Sequence, residues 1–327
     1  MPLLQVASLR VRFKTEEGYV EPLDGVSFEI EPGEVMGLVG ETGSGKSVTA
    51  QAVMGLLPFI NGEVTAGRIN FMGQDLLSFS EEQWQKYRGA KLSLISQNPM
   101  TSLDPVYRVG EQIVEGMLLH LKISRSEARQ RAIDLMGSLH IPNPAGVYYQ
   151  YPHQLSGGLK QRIVIAMGLC AGPRLLIADE PTTALDVTVQ AQIVALLIVA
   201  TVERGISLLL ITHDLGVIAQ ICDKVAVMYA GTIVEFGDVM SIFNQPKHPY
   251  TESLLQCIPK LGMQKGVLKA IPGNVPSVRT FPSGCRFHPR CGDVMSACHL
   301  QKPANINLET GINVACIKYS SYMKGSA

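Results

Sequence analysis

The stretch that decides the fold is VMGLVGETGSGKS, residues 35–47, in which a short apolar run leads into a glycine-rich loop. The run Val35–Val39 predicts a buried strand, and Ser47–Leu57 beyond the loop has a helical pattern. The loop matches the spacing G-x-x-x-x-G-K-[ST]. Glycines let backbone N–H groups face an anion, and the helix start adds its positive dipole end. We therefore predict a nucleotide-phosphate site in which Lys46 reaches the β- and γ-phosphates and Ser47 binds magnesium.

Further patterns extend this strand–loop–helix unit into a parallel α/β sheet. Short apolar runs of strand length recur along the chain, with helical patterns such as Val187–Val202 between them. These runs are Leu175–Ala178, Ile206–Ile211 and Val225–Met228. Residues 100–155 differ, because they hold the helical patterns Val109–Leu121 and Ala128–Leu139 and no strand run. We expect an all-helical insertion there, with Ser124 capping its second helix.

Composition excludes several classes of protein. The 327 residues are 46% hydrophobic and carry 28 basic and 28 acidic side chains, so no overall positive field favours nucleic acid. The longest apolar runs fall short of the roughly 18 to 20 residues of a spanning helix. The first residues, MPLLQVASLRVRFK, lack the pattern of an export signal. We expect a cytoplasmic protein that does not itself cross the membrane.

Two acidic residues follow the strand run Leu175–Ala178. Ligands of open parallel sheets bind at the carboxyl ends of the strands, so Asp179 and Glu180 are expected to face the phosphates. Phosphoryl transfer mainly needs positioning and charge stabilisation. In this interpretation Asp179 holds magnesium, directly or through water, and Glu180 polarises the attacking water.

The segment LSGGL, residues 155–159, resembles the signature motif of ATP-binding cassette (ABC) ATPases. The resemblance implies a P-loop NTPase (RecA-like) core with an antiparallel β subdomain, an inserted all-helical subdomain at about 98–158 and a loop-rich C-terminal extension. It implies that Ser156, Gly157 and Gly158 bind the γ-phosphate of ATP held by a second ATPase subunit. Leu159 departs from the commonest motif, which has glutamine there, and we expect altered nucleotide affinity at most.

Other family elements occur in the right order. The resemblance implies a Q-loop at Gln97, a D-loop containing Asp186 and a switch histidine at His213. Lys46, Gln97, Glu180 and His213 are then the catalytic set. The implied ATP and magnesium contacts are Phe13, Gly40, Glu41, Thr42, Gly43, Ser44, Gly45, Lys46, Ser47, Val48, Gln97, Asp179 and His213. Tyr19 is a rival to Phe13 for stacking on adenine.

Longer phrases resemble one branch of the family, the ATPase subunits of oligopeptide, dipeptide and nickel importers. They include NPMTSLDP at 98–105, YPHQ at 151–154 and HPYT at 248–251. The branch implies peptide uptake, with nickel as the alternative cargo and a soluble, non-transport cassette ATPase as the remaining possibility. It also implies a second and different ATPase, two membrane permeases and an extracytoplasmic binding protein. The chain would then lie peripherally on the cytoplasmic face of the inner membrane.

The C-terminal part differs from the rest in charge and in cysteine content. Residues 246–327 hold ten basic and three acidic side chains, whereas residues 1–245 hold 18 and 25. We therefore expect an ABC ATPase domain at 1–245 and an extension at 246–327. Cys285, Cys291, Cys298 and Cys316 have the spacing C-x5-C-x6-C-x17-C, which lacks the paired C-x2-C of structural zinc sites.

Four thiolates suit an iron–sulfur cluster or zinc, and disulfides are disfavoured in a cytosolic, ATP-using protein. Wide and uneven spacing favours a cluster, because its corners spread the ligands. The four cysteines of this chain resemble those that hold a [4Fe–4S] cluster in the importer branch, so the resemblance implies such a cluster here. Zn²⁺ and unligated thiols stay open as alternatives, and His288 or His299 could replace one ligand.

Overall fold

The computed structural model describes residues 1–97, 99–181, 187–258 and 271–324. The chain divides into two compact units. The first comprises Met1–Ile30, Val35–Leu77 and Thr212–Ala327, and the second comprises Glu31–Glu34 and Ser78–Ile211. The first unit therefore contains the phosphate loop and the C-terminal extension, and the second contains the helical segment. No helix among the described residues has both the length and the apolar character needed to cross a membrane.

An antiparallel sheet forms one layer of the first unit. Its strands β1 (Leu4–Thr15), β2 (Gly18–Ile30), β4 (Gly62–Phe71) and β5 (Gln74–Asp75) lie in the order β2-β1-β4-β5. Inward positions of β1 such as Leu4, Leu9 and Val11 are fully buried. The expected antiparallel β subdomain is confirmed.

A second sheet of the first unit carries the phosphate loop. Strand β3 (Val35–Val39) runs parallel to β9 (Lys224–Tyr229), and β10 (Thr232–Asp238) runs antiparallel to β9. Two short strands of the extension, β11 (Ile306–Asn307) and β12 (Asn313–Val314), continue the sheet beyond β10. The extension is therefore built onto the same sheet as the nucleotide loop. The helices of this unit are α1 (Lys46–Val53), α9 (Leu215–Ile221), α10 (Val239–Asn244) and α11 (Pro249–Gln256).

The second unit combines three parallel strands with the helical segment. Strands β6 (Leu92–Ile95), β7 (Leu175–Asp179) and β8 (Ser207–Thr212) pair in the order β8-β7-β6. Its helices are α2 (Glu81–Tyr87), α3 (Pro99–Ser102), α4 (Val109–His120), α5 (Arg125–Ser138), α6 (Pro144–Val147), α7 (Gly157–Leu169) and α8 (Val187–Val202). All five residues of β7 are buried, as the apolar run predicts for a strand covered on both faces.

The helical insertion is confirmed, with its two predicted helices shifted by one to three residues at their ends, and the helix after the phosphate loop ends earlier than predicted. Residues 100–155 form helices and turns without a strand, and the Ser124 hydroxyl caps α5 by accepting the Glu127 N–H at 3.1 Å. The helix expected over Ser47–Leu57 ends at Val53. Gly55 has a φ of 63°, a left-handed conformation that stops the helix at little cost for glycine.

Candidate functional site: nucleotide loop, signature helix and cysteine group

The loop between β3 and α1 has the shape that its glycines dictate. Gly43 and Gly45 have φ values of 83° and 106°, which side chains other than glycine rarely adopt. A Cβ at Gly40 would lie 2.1 Å from the backbone carbonyl oxygen of Met228. Glycine at position 40 is therefore required by close backbone approach, and the loop is packed directly against β9.

The polar side chains of this loop suit an anionic ligand. The Lys46 ammonium donates to the carbonyl oxygens of Gly40 at 2.7 Å and Glu41 at 3.2 Å, so it lies over the loop that starts its own helix. The buried hydroxyl oxygen of Ser44 has no hydrogen-bond partner among the described residues. Ser47 is half-buried in the first turn of α1, which contains no acidic residue. An ammonium, two hydroxyls and glycine amides at a helix start fit nucleotide phosphates and Mg²⁺.

In the second unit, the structure brings Gln97 and Glu180 together. The side-chain amide of Gln97 donates to a carboxylate oxygen of Glu180 at 3.2 Å. Glu180 follows β7 directly, and its backbone N–H donates to the carbonyl of Ile211 at 2.9 Å. Its φ of 44° is left-handed, a strained conformation that often marks a functional position. Asp179, the last residue of β7, is 9% exposed.

The expected switch histidine and adenine-stacking residues lie in the first unit. His213 is exposed directly after β8, and Asp214 caps α9 by accepting the N–H of Gly216 at 2.8 Å. Phe13 is half-buried on β1, opposite Gly62 of β4. Tyr19 is 59% exposed, and its ring already contacts the Arg12 guanidinium. Phe13 therefore stays our prediction for adenine.

The signature segment lies at the start of a long helix. The exposed Ser156 is the N-cap of α7, and its hydroxyl oxygen accepts the N–H of Leu159 at 3.4 Å. Gly157 is exposed and Gly158 is half-buried, and the first turn of α7 contains no acidic residue. A helix N-terminus that faces solvent in this way offers N–H groups to an anion from outside the chain. Asp186, in the expected D-loop, lies outside the described residues.

The four C-terminal cysteines form one neighbourhood. The backbone N–H of Cys285 donates to the carbonyl of Cys298 at 2.9 Å. Burial raises the pKa of the Cys285 thiol to about 11, with smaller contributions from the nearby thiols of Cys298, Cys316 and Cys291. Burial also raises the pKa of Cys316, with added effects of Cys291 and Cys298. The four cysteines, which are close together in the sequence, are therefore also close together in the structure.

The expected metal or cluster site has no support in the described residues of this neighbourhood. Across the described ranges, no group of three or more His, Cys, Asp or Glu side chains is arranged to hold a metal ion. All seven cysteines fall within those ranges, and each is a free thiol. His288 bonds through Nδ1 to the carbonyl of Cys285 at 2.9 Å, and its ring packs on His299.

The basic extension is paired with the acidic body of the first unit. Arg286 and Lys302 both donate to the Asp24 carboxylate, at 2.9 and 2.6 Å. Arg290 binds both carboxylate oxygens of Glu41 at 3.0 and 3.1 Å. The opposite charges of the two parts of the sequence signal this attraction, whereas the individual partners are not apparent from the sequence. Arg290 and Tyr250, which also contacts Glu41, are therefore residues of this site that no sequence motif indicates.

Comparison with known protein families agrees with this geometry. Residues 23–183 match the family described as ABC transporter, and residues 234–298 match the oligopeptide/dipeptide transporter C-terminal region. The dipeptide transport ATP-binding protein DppD of Escherichia coli (strain K12) is 46% identical over 97% of this chain and 96% of its own length. The oligopeptide transport ATP-binding protein AppD of Bacillus subtilis (strain 168) is 44% identical, with 97% of each chain covered.

Solved structures resemble the nucleotide-binding fold. The ATP-binding cassette MJ0796 bound to ADP and Pi has a TM-score of 0.65 at 24% identity, covering 72% of this chain and 98% of its own. The cbiO1 protein of Clostridium perfringens, part of the ABC transporter complex cbiONQ, has a TM-score of 0.62 at 27% identity, covering 75% and 91%. These likenesses agree on the fold. The near full-length relatives show that the chain belongs to the ABC ATPases, in the family of dipeptide and oligopeptide transport ATP-binding subunits.

Proposed function

We propose that this chain is the ATP-hydrolysing subunit of an importer that carries dipeptides or oligopeptides across the cytoplasmic membrane. The observation that carries the cargo assignment is similarity over nearly the whole length, extension included, to ATP-binding proteins named for peptide transport. Nickel, the alternative expected from sequence, has no comparable support in these relatives. The ATPase domain at 1–245 and the extension at 246–327 are part of the same proposal.

We assign nucleotide binding and activation of the attacking water to different residues. In the first unit, Lys46 and Ser47 bind the β- and γ-phosphates with Mg²⁺, which supplies charge neutralisation when bound. In the second unit, the Glu180 carboxylate accepts a proton from the attacking water while the Gln97 amide holds that carboxylate in place. His213 is proposed to contact the γ-phosphate, and Asp179 to bind the metal.

The exposed start of the signature helix α7 suits an ATP molecule held by a second ATPase subunit. Ser156, Gly157 and Gly158 present N–H and hydroxyl donors to solvent at the start of α7. We propose that they bind the ATP held by a different cassette subunit, so that each ATP lies between two chains. Closure of the two subunits on ATP then drives transport, with no chemistry on the cargo.

A groove in the helical segment is the proposed docking site for a permease. It has a volume of about 680 Å³ and is lined by α4 together with Asp104, Tyr107, Arg125 and Met167. Leu119 and Tyr107 expose 75% and 60% of their surface at this groove. Its acidic residues Asp104, Glu111 and Glu115 outnumber its one basic residue, Arg125. Cytoplasmic loops of membrane proteins carry excess Lys and Arg, so a basic, partly apolar loop of the permease fits both features.

Reconstitution in lipid vesicles with the permeases, the second ATPase and the binding protein tests this function. We expect peptide-loaded binding protein to stimulate ATP turnover severalfold. Leu119→Glu should abolish that stimulation, because it adds a charge to the apolar part of the groove. The matched Leu300→Glu, at an exposed leucine of the extension, should retain it. Turnover that does not respond to loaded binding protein would contradict an importer.

We also propose that Cys285, Cys291, Cys298 and Cys316 hold a [4Fe–4S] cluster. The support is the shared neighbourhood of the four thiols, three of which act on the pKa of the fourth. A cluster binds one thiolate at each of four irons and so accepts more widely separated sulfurs than Zn²⁺ does. Its proposed role is structural, because the described part of the extension has only two short strands and one α-helix, α11.

Metal analysis after anaerobic purification tests the cluster. We expect about four iron and four acid-labile sulfide per chain. Cys298→Ser should lose most of both, since Cys298 is the most buried of the four thiols. Cys257→Ser, which changes a cysteine outside the group, is the matched control. Stoichiometric zinc without sulfide would establish the alternative, and a chain free of iron, sulfide and zinc would leave the thiols unligated.

A further inference from the structure

Two residues of the C-terminal extension hold Glu41, the second residue of the phosphate loop. The Arg290 guanidinium donates to both carboxylate oxygens, Nη1 to Oε1 at 3.0 Å and Nη2 to Oε2 at 3.1 Å. The backbone N–H of Glu41 donates to the hydroxyl of Tyr250 at 3.0 Å. The side chain and the backbone of this loop residue are thus both held by residues more than 200 positions away in sequence.

Arg290 is fixed on every side of its guanidinium. Only 5% of its side chain is exposed, against 30% for Glu41. Its Nε donates to the carbonyl of Pro272 at 2.8 Å, and weaker contacts at 3.4 Å reach Ile271 and the hydroxyl of Tyr229. A planar guanidinium held by several acceptors loses little further freedom in binding a carboxylate with two parallel bonds. Arg290 therefore fixes the position of the Glu41 carboxylate.

Tyr250 is fixed by a separate chain of hydrogen bonds. The fully buried Glu235 accepts the backbone N–H groups of Lys247 at 2.7 Å and His248 at 2.9 Å. Burial lowers the pKa of His248 to about 3, so its ring is neutral and Nδ1 accepts the Tyr250 N–H at 3.0 Å. The Tyr250 ring packs against Tyr229 and Phe287. The start of the extension is thus anchored to β10, and its Tyr250 hydroxyl contacts the second residue of the phosphate loop.

The charge of Glu41 explains why this support matters for ATP. The rest of the loop offers glycine amides, Lys46 and a helix start, all of which attract phosphate. A carboxylate in the same loop opposes the negative triphosphate, and this repulsion is strong where water is partly excluded. Arg290 cancels the charge of Glu41 and holds its side chain in one place.

We propose that Arg290 and Tyr250 are positioning residues of the ATP site, through which the C-terminal extension sets the nucleotide affinity of the phosphate loop. This inference rests on the ATP site of the proposed function and goes beyond it, because it assigns the extension a part in nucleotide binding. Arg290 acts by neutralising and fixing Glu41, and Tyr250 acts by holding the backbone of the same residue. Neither residue needs to touch the nucleotide.

Titration calorimetry of the purified full-length chain with Mg-ATP tests the charge argument. We expect Arg290→Ala to weaken binding about tenfold, because the Glu41 carboxylate loses its counter-charge. Adding Glu41→Gln to Arg290→Ala should recover most of that loss. A purely structural role of Arg290 would not be rescued in this way. Lys302→Ala is the matched control, because it removes an equal charge from the extension at a residue that pairs with Asp24. We expect the Lys302→Ala chain to bind Mg-ATP as tightly as the unmodified chain does.

The outcomes separate this inference from the ATP site itself. If Arg290→Ala does not fold, Arg290→Gln carries the same expectation, because it removes the charge and keeps a hydrogen-bond donor. Binding of Mg-ATP by Arg290→Ala or Arg290→Gln as tightly as by the unmodified chain would overturn the inference, and so would a double variant as weak as the single one. An unmodified chain that does not bind Mg-ATP would instead overturn the ATP site.

Discussion

Glu180→Gln is expected to lower ATP turnover of the assembled transporter at least about a hundredfold while Mg-ATP binding is retained. Glutamine has nearly the same shape as glutamate, so it preserves the left-handed backbone at this position and still meets the Gln97 amide. It cannot accept a proton from water, and general-base catalysis typically contributes 10²- to 10⁴-fold. Single-turnover phosphate release and equilibrium nucleotide binding, measured on the same preparation, separate the two effects.

The matched control for this variant is Glu203→Gln. Glu203 is an exposed glutamate after the end of α8, so its substitution removes the same charge from the same unit away from β7. We expect it to hydrolyse ATP at the unmodified rate. Unchanged turnover in Glu180→Gln would show that another group activates water. It would also contradict the proposal that Gln97 positions the catalytic base.

Gly40→Ala is expected to destabilise the fold by about 3 kcal/mol or more. The added Cβ would lie 2.1 Å from the carbonyl oxygen of Met228, a backbone atom that no side-chain rotation can move away. The loop or β9 must shift, and nucleotide binding should fall with it. Chemical denaturation of the full-length chain measures the free energy of unfolding directly.

Gly43→Ala provides the matched comparison within the same loop. Gly43 has a left-handed φ of 83°, but a Cβ there meets no atom within 4 Å. Its substitution therefore costs only the backbone strain, about 1–2 kcal/mol. A Gly40→Ala chain as stable as Gly43→Ala would show that the loop and β9 separate easily, contrary to the packing described above.

Sequence patterns predict well those structural elements that depend on residues close together in the sequence. The G-x-x-x-x-G-K-[ST] spacing predicts the strand, the loop and the start of α1, because glycine conformation and helix starts depend on neighbouring residues. The Ser124 cap and the helical segment follow for the same reason. The end of α1 is missed, because Gly55 continues the helical pattern in sequence while its φ of 63° ends the helix in the structure.

Contacts between segments that are distant in sequence could not be predicted from the sequence. The order of motifs predicts a Q-loop glutamine and a catalytic glutamate, but the 3.2 Å bond between Gln97 and Glu180 requires β6 and β7 to be adjacent. Arg290 and Glu41 lie 249 positions apart. The charge difference between body and extension predicts only a domain boundary, whereas the fold shows which arginine binds the phosphate loop.

Uptake by cells whose native chain is replaced by Lys46→Ala tests the central claim most directly. Labelled dipeptide, a longer labelled peptide and nickel are supplied in parallel, and membrane recovery of the variant confirms that the complex assembles. We expect peptide uptake to be lost and nickel uptake to be unchanged, because Lys46 is needed to bind the ATP that drives this importer. Loss of nickel uptake alone would place the chain with metal importers, and unchanged uptake of all three would contradict a role in import.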